Sequence, residues 1–371
     1  MMKKWMILFD TIAVIIAVSA VFLFIQAYNQ MSPQNEIKIG VIAPFSGNYA
    51  LQGERIRNGL ELAEEDLTSQ NISVKLLYED GCTASQTVPA FRKLVESDGI
   101  KILGASFCLV GFTPLLPIAE ENNIIMFNTA KNPSTILNRS YVFSTNLAIS
   151  EDSEFQARYA ADKGEKTGAI VYYATPFGQD FAKFIPQYFE QHGGRMLVSE
   201  SVELSAADFR TELAKIKDAD PDVIFVVHLS NSLGNFIRQA RELGINATII
   251  SNSEAEDPSV ITAAGTASEG FVVSTSEPVN KTQKLMDFES KYMNRFGVFP
   301  DPLAMNAYDS LTIQAITYKK CNGNADCIKA ELHKIKNYDG VSGTITISED
   351  GSSSKPLLIK IVRNGTFVRE E

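Results

Sequence analysis

The chain alternates between short apolar runs and stretches in which apolar residues recur at helical spacing. Residues 37–42 form a near-continuous apolar run, as expected for a strand that is covered on both faces in a parallel sheet. A loop follows at residues 44–49. Apolar residues then recur at Ile56, Leu60 and Leu67, which is the spacing of an amphipathic helix. The first unit is therefore predicted to be a strand, a loop and a helix.

The same unit recurs along most of the chain. Further strands are predicted at residues 72–78, 100–105, 124–127, 168–173, 196–202, 222–228, 247–251 and 270–275. Helices are predicted at residues 84–97, 113–122, 151–163, 178–192, 208–218, 230–243, 283–296, 303–319 and 325–336. Near the C-terminus the pattern predicts antiparallel strands at residues 342–347, 356–362 and 366–369. The predicted fold class is therefore α/β, with parallel sheets built from βαβ units.

The N-terminal segment has a different pattern. Residues 11–25 carry no charge and belong to an apolar stretch at residues 5–27, and a run of about 20 apolar residues spans a bilayer as a helix. Two lysines precede this stretch, which places the N-terminus inside and the rest of the chain outside the membrane. Residues 1–27 are therefore expected to be a retained transmembrane anchor or a cleaved signal peptide, with a polar tether at residues 28–35. The remaining chain would lie in the periplasm or at the outer face of the cytoplasmic membrane.

Length and charge narrow the possibilities further. With 371 residues the chain is too long for a single core, so two lobes are expected. The formal net charge is −10, and the sequence has no dense run of lysine and arginine. Because phosphate binding needs clustered basic residues, a nucleic-acid partner is not expected.

The four cysteines are an even number, and pairing is the default in an exported chain. Cys82 and Cys108 follow the predicted second and third strands, whose carboxyl ends are neighbours in a parallel sheet. A bridge between them is therefore geometrically natural, while Cys321 and Cys327 would pin a turn between two helices. A zinc site is the alternative, but the spacings are not of the CxxC type, so no metal site is expected.

The chain lacks the residue patterns of an enzyme. Its three histidines, His192, His228 and His333, are widely scattered. The sequence contains no G-x-S-x-G, no G-x-G-x-x-G and no P-loop motif. Catalysis needs a nucleophile with its base, a metal or a cofactor loop, so no catalytic residue and no cofactor are expected.

Several segments, taken in order, resemble one known family. They are IKIGVIAPFSGNYALQGERIRNGLELA at residues 37–63, YEDGCTASQTV at 78–88, GASFC at 104–108, YVFSTN at 141–146, DVIFVVHLSNSLGNFIRQARELG at 222–244 and SEGFVVST at 268–275. Their order and spacing are similar to those of type I periplasmic binding proteins of the leucine/isoleucine/valine-binding family, which are the soluble receptors of ABC importers.

The resemblance implies two doubly wound parallel-sheet lobes joined by a hinge of three chain crossovers. The first lobe would be residues 36–147 with 278–343, and the second would be residues 148–277 with 344–371. An amino acid, or a related small amide or zwitterion, would bind in the cleft between the lobes and favour the closed form. An ABC permease and its ATPase subunits would be the partners. The alternative is an extracytoplasmic ligand sensor that acts through a separate membrane protein.

For the first lobe, the resemblance implies that the solute contacts Gln52, Leu109, Val110, Thr129 and Lys131. In the family, this side of the cleft holds an amino acid carboxylate through backbone N–H groups and hydroxyls. Leu109 and Val110 stand where branched-chain binders have serines. Lys131 could pair with an anionic group of the ligand, or be a solvated lysine beside a turn.

For the second lobe, the resemblance implies contacts with Phe177, Leu229, Ser230 and Glu254. Phe177 stands where the family often has a tyrosine that packs on the ligand, although core packing is its alternative role. Glu254 matches the acid that holds the ligand ammonium, with an exposed loop glutamate as its alternative and Glu256 as its competitor. Because several of these positions depart from the branched-chain pattern, leucine itself is not the expected ligand.

Overall fold

The computed structural model describes residues 36–203, 205–227, 230–276, 278 and 281–370. The membrane anchor or signal peptide predicted at residues 1–27 and the tether predicted at residues 28–35 lie outside the described residues. Within the part of the chain that is described, no helix is both long enough and apolar enough to span a membrane.

The first sheet contains the strands β1 (Ile37–Ala43), β2 (Val74–Asp80), β3 (Ile102–Ser106), β4 (Ile125–Asn128) and β5 (Val142–Ser144). These five strands are all parallel and lie in the order β2-β1-β3-β4-β5. Lys38 is the one residue of β1 that is not buried, as the near-continuous apolar run predicted. Four helices follow strands of this sheet: α1 (Ala50–Ser69), α2 (Ala84–Arg92), α3 (Leu109–Phe112) and α4 (Leu116–Asn122).

Two of these helices differ from the prediction in their bounds. The helix predicted at residues 113–122 is divided into a 3₁₀ turn at Thr113–Leu115 and α4, and α3 precedes it outside the predicted range. Pro114 and Pro117 explain the break, because each lacks an N–H group and is tolerated only in the first turn of a helix. The helix predicted at residues 84–97 is present, but its last turn, Lys93–Ser97, is π-helical.

The next part of the chain supplies five more strands and five helices. The strands are β6 (Thr167–Tyr173), β7 (Arg195–Val202), β8 (Val223–Val227), β9 (Thr248–Ser251) and β10 (Val272–Thr275). The helices are α5 (Ile149–Asp162), α6 (Pro176–Gln191), α7 (Arg210–Ala219), α8 (Ser230–Glu242) and α9 (Pro258–Ala264). Helix α9 was not predicted, although Asp257 as N-cap with proline at the first helical position is a recognisable start signal.

The last part of the chain contributes to both halves of the fold. Its helices are α10 (Gln283–Phe296), α11 (Pro302–Cys321) and α12 (Ala325–His333). Its strands are β11 (Tyr338–Gly340), β12 (Gly343–Ile347), β13 (Ser353–Ser354), β14 (Leu358–Arg363) and β15 (Thr366–Arg369). Strands β11, β12 and β13 form a small antiparallel sheet. Strands β14 and β15 are antiparallel to their neighbours, as predicted, and complete the second sheet in the order β15-β14-β10-β9-β8-β6-β7.

Within residues 36–370, apart from the undescribed positions, the chain passes between the two halves three times: between β5 and α5, between β10 and α10, and between β13 and β14. Helices α10 to α12 return to the first sheet, where Leu285 and Ile328 join its apolar core. Ile345 and Ile347 of β12 alternate into that same core. The first lobe was predicted to end at residue 343. In the structure, β12 and its partner β13 stay with the first sheet, so the chain leaves this half only after residue 354.

Candidate functional site

The two sheets meet at the carboxyl ends of their strands, around one lysine. Lys131 lies in the loop that follows β4, and its side chain is only 2% exposed. Its Nζ donates to Asp152 Oδ2 at 2.7 Å and to Ser253 Oγ at 3.0 Å. A third, longer contact of 3.5 Å joins Nζ to Glu254 Oε2. An ammonium has three N–H donors, so these three acceptors account for all of them.

Each acceptor of the Lys131 ammonium comes from the second half of the fold. Asp152 lies in the first turn of α5, where the helix dipole favours a carboxylate. Ser274, near the end of β10, donates to the other carboxylate oxygen of Asp152 at 2.5 Å. Ser253 and Glu254 belong to a 3₁₀ turn that follows β9. The lysine therefore contacts two segments of the other half, and a third segment, β10, supports one of its acceptors.

The Lys131 side chain is held in its charged form. Burial alone would lower the pKa of Lys131, because a buried ammonium is poorly solvated. The Asp152 and Glu254 carboxylates outweigh this effect and raise the pKa above its ordinary value. Asp152 is fully buried, whereas the Glu254 side chain is 26% exposed. The cluster is therefore a buried ion pair with a second, partly solvated carboxylate at its edge.

Thr129 precedes Lys131 by two residues and is fully buried. Its hydroxyl donates to the Ser106 carbonyl oxygen, at the end of β3, at 2.9 Å. Its own carbonyl oxygen accepts from Asn146 Nδ2 at 3.2 Å. These bonds fix the loop after β4 against the neighbouring strand and against the first chain crossover.

The remaining predicted residues of the first lobe lie at the start of α1 and in α3. Leu109 is half-buried and packs on the apolar core, whereas Val110 is 58% exposed. Gln52, on α1, is half-buried, and its Oε1 has no hydrogen-bond partner. Tyr49 and Phe107, in the loops after β1 and β3, have ring centroids 6.3 Å apart. These two aromatic rings were not predicted as contacts, although their positions just after strand ends could have indicated them.

The disulfide predicted between Cys82 and Cys108 is present and is confirmed, with a Cα–Cα distance of 5.0 Å. It joins the loop after β2 to the loop after β3, at the same end of the sheet as Lys131. The second predicted pair, Cys321 and Cys327, is also bonded and links the end of α11 to α12. No group of His, Cys, Asp and Glu side chains in the described part of the chain is arranged to hold a metal ion.

On the second lobe, Phe177 is the second residue of α6 and is half-buried. Its ring meets Phe181 edge to face, with centroids 5.2 Å apart, and packs on the apolar core of the second sheet. Leu229 lies outside the described residues. Ser230 is the first residue of α8, and its side chain is likewise outside the described part.

Other carboxylates near the strand ends also have partners inside the protein. Asp80, the last residue of β2, accepts from the Phe45 backbone N–H and the Ser46 hydroxyl. Asp180, on α6, accepts from the backbone N–H and the hydroxyl of Ser134, which lies in the loop after β4. The Ser134–Asp180 contact is a second link between the two halves of the fold.

The sequence analysis missed Asp152, Ser253 and Ser274 as members of the site. Asp152 follows Glu151 at a helix start, and such acids usually serve the helix dipole alone. The short serine side chains carry no signal of their own. Only the three-dimensional structure brings residues 131, 152, 253 and 274 together.

Comparisons with known proteins agree with this architecture. A profile described as periplasmic binding protein matches residues 36–365. The leucine-, isoleucine-, valine-, threonine- and alanine-binding protein of Pseudomonas aeruginosa is 25% identical over 330 residues, which are 85% of this chain and 86% of that protein. A leucine-binding protein from Thermotoga maritima superposes with a TM-score of 0.81 at 23% identity and covers 90% of this chain and 98% of its own. A solute-binding protein of an ABC transporter from R. palustris, solved with benzoate, has a TM-score of 0.77 at 18% identity and covers 90% and 95%.

Proposed function

We propose that this chain, which belongs to the periplasmic binding protein family, is the extracytoplasmic solute receptor of an ABC importer. It holds one small solute between its two sheets and delivers it to a permease driven by ATPase subunits. The solute would complete contacts that neither half of the fold has alone, so that binding favours the closed form.

The cross-sheet cluster around Lys131 carries this proposal. Polar groups from both halves of the fold converge at the carboxyl ends of parallel strands, where open α/β sheets bind their ligands. The first chain passage between the halves lies beside this cluster, because Asn146 in that passage donates to the Thr129 carbonyl oxygen. Two hinged halves that both present polar groups to the space between them suit a receptor that closes on a solute.

The similar proteins limit the chemistry of the solute. The P. aeruginosa relative is named for five amino acids, and the R. palustris structure contains benzoate. All of these molecules are small carboxylic acids. We therefore propose a small carboxylate for this chain, a class that includes the amino acid or zwitterion expected from the sequence but not a simple amide.

The proposed contacts combine an apolar wall with polar loops. The apolar wall consists of Tyr49, Phe107 and Val110 on the first sheet, with Phe177 on the second. The polar and remaining contacts proposed from the sequence are Gln52, Leu109, Thr129, Lys131, Leu229, Ser230 and Glu254.

A solute screen tests the proposal. The full chain, purified in a mild detergent, is heated with amino acids, carboxylic acids, amides and sugars in turn. A solute at 100 times its dissociation constant should add about 2.7 kcal/mol to the free energy of unfolding, which raises the melting temperature. X-ray scattering of the same sample should then show a smaller radius of gyration with the solute than without it.

Val110 provides a matched variant for this test. Because its side chain is exposed and belongs to the proposed apolar wall, Val110→Asp should weaken binding without lowering the melting temperature of the solute-free protein. Val298→Asp is the control, since Val298 is similarly exposed, at 56%, and lies in the loop between α10 and α11. Stabilisation by sugars alone, or turnover of a bound solute, would contradict the proposal.

A further inference from the structure

The buried ammonium of Lys131 limits which charged groups a solute in the cleft can carry. Its three acceptors are supplied by the second sheet, while the lysine is supplied by the first. The side chain is 2% exposed, so the ammonium depends on these acceptors in place of water. The protein thus holds one amino group of its own at the point where the two halves meet.

We propose that Lys131 is a specificity-determining residue, and that its ammonium takes the place which the amino group of a solute would need. The solute is then a carboxylic acid without an amino group. This inference rests on the proposed solute-binding function and narrows its solute class.

The other carboxylates near the strand ends support this exclusion. A solute ammonium is held best by a carboxylate whose oxygens have no other partner. Asp152 has Lys131 on one oxygen and Ser274 on the other. Asp80 and Asp180 are each occupied by a serine hydroxyl and a backbone N–H group.

Glu254 is the remaining acid of the cluster. Glu254 already contacts Lys131. A solute ammonium at Glu254 would therefore lie beside the Lys131 ammonium and be repelled by its like charge. The Glu254 side chain is 26% exposed, so water screens the charge that Lys131 leaves uncompensated. A hydroxyl of the solute could donate to this carboxylate without bringing a second cation into the cleft.

Neutral groups with unused hydrogen-bonding capacity lie next to the cluster in the chain. Asn252, which precedes Ser253, is 1% exposed and its Nδ2 has no partner. Gln156 Nε2 and Ser153 Oγ, on α5 beside Asp152, and Thr275 Oγ1, beside Ser274, are also buried without partners. The amide N–H groups of Asn252 and Gln156 can only donate, so they suit a carboxylate oxygen and not an ammonium, while the two hydroxyls could donate to the same acid.

The test uses pairs of probes that differ only in the amino group. The pairs are leucine with 4-methylpentanoate and phenylalanine with 3-phenylpropanoate, and benzoate is added as a single acid. Titration calorimetry on the full chain in detergent should give, for at least one pair, a dissociation constant about 100-fold lower for the acid without the amino group. This measurement needs no variant, so it does not depend on how a mutant folds.

Two variants then locate the selectivity. Lys131→Thr empties the ammonium position and leaves a hydroxyl, so the amino acid of the same pair should gain at least tenfold in affinity relative to its partner acid. Lys281→Met is the control, because Lys281 is a 68% exposed lysine paired with Glu289, and it should leave the ratio unchanged. Circular dichroism checks that each variant is folded.

The outcomes separate the two proposals. If the amino acids bind the wild-type chain as tightly as their partner acids, the inference on Lys131 is overturned while the solute-receptor function stands. If Lys131→Thr folds and keeps the wild-type ratio, the inference is again overturned. If no probe of either class binds the wild-type chain, the proposed function fails and the inference fails with it.

Discussion

Lys131 and Lys355 are both buried lysines, but they have opposite electrostatic surroundings. Lys131 contacts two carboxylates. Lys355 donates to neutral groups, Asn306 Oδ1 at 2.5 Å and Ser342 Oγ at 2.6 Å, and Ser342 in turn donates to the buried Asp309. Burial therefore dominates at Lys355 and lowers its pKa to about 8, although Asp309 acts in the opposite direction. The two residues show that the partner, and not burial alone, decides the charge of a lysine.

The lowered pKa of Lys355 predicts a pH dependence of stability. Between pH 8 and the ordinary lysine pKa of 10.5, the unfolded chain keeps this proton while the folded chain loses it. Stability contributed by this group should therefore rise with pH in that window, by about 3 kcal/mol in total. Urea unfolding of the wild type and of Lys355→Met at pH 8 to 10.5 should show the two curves of stability against pH diverging.

Lys281→Met serves as the control for that series, because it removes an exposed lysine far from Lys355 in the sequence, and the variant should follow the wild type. Parallel curves for Lys355→Met and the wild type would show that Lys355 does not titrate in this range.

The sequence predicted some residues of the site correctly, but not the contacts between them. Lys131 and Glu254 were both selected, but as separate contacts of a ligand, and their contact with each other was not foreseen. The partners of Lys131 lie 21 and 122 residues further along the chain, and no local pattern encodes such a distance. Side-chain networks between remote segments therefore had to come from the structure.

At the scale of elements, α1 and α11 pack closely through a glycine. A Cβ atom at Gly59 of α1 would overlap the Ala304 carbonyl oxygen of α11, so only glycine allows this approach. Gly59→Ala should destabilise the protein by about 1 to 3 kcal/mol, because rigid backbone must move to relieve the overlap. Chemical denaturation measures the loss.

Glu54→Ala on the same helix is the matched control, since Glu54 is exposed and alanine favours helix formation. An unchanged stability of Gly59→Ala would mean that the two helices can separate without cost.

The two disulfides differ in the length of chain that they close, with sequence separations of 26 and 6. In the chain-entropy model, the longer loop contributes about 3.5 kcal/mol and the shorter one about 2.4 kcal/mol. We expect the Cys82→Ser/Cys108→Ser double variant to be less stable than the Cys321→Ser/Cys327→Ser double variant. Thermal unfolding of both variants, without reductant, tests the order, and a reversed order would contradict it.

The positions of strands and helices were the part of the structure that the sequence predicted best. Long buried runs such as β1 and strongly periodic helices such as α10 were located correctly, because burial on both faces and a 3.6-residue period are visible in one sequence. The two-residue strand β13 was missed, since so short a segment has no period. Strand β13 is extended because its backbone pairs with β12, where Ser353 lies opposite Ile347.

At the scale of the whole molecule, the α/β class and the two-sheet architecture predicted from the sequence are confirmed by the fold and by the family. The lobe boundaries stay a prediction, with the difference noted at β12. Where a chain leaves one sheet and later returns to it, the passages between the sheets are short and irregular, so they have no periodic pattern in the sequence. The bounds of such connections are therefore the least predictable part of this fold.

The Ser134–Asp180 contact predicts how the two halves move. Asp180 accepts from the backbone and the side chain of Ser134, and hydrogen bonds to a carboxylate contribute about 1.5 to 3 kcal/mol each. Asp180→Ala should therefore widen the solute-free ensemble and increase the radius of gyration measured by X-ray scattering. Asp162→Ala, at an exposed position of α5, is the control that should scatter like the wild type.

A larger decrease in radius on solute binding should accompany the Asp180→Ala change, because the variant starts from a more open state. Identical scattering of the variant and the wild type would show that this contact does not restrain the hinge.

The three passages between the sheets have one further consequence. The described chain starts with β1 in the first sheet and finishes with β15 in the second, so its two ends belong to different halves of the fold. Fluorescent dyes attached near residues 38 and 369 would therefore change their energy transfer whenever the halves rotate. The protein's own topology would make it a reagentless optical sensor for whichever molecule it carries.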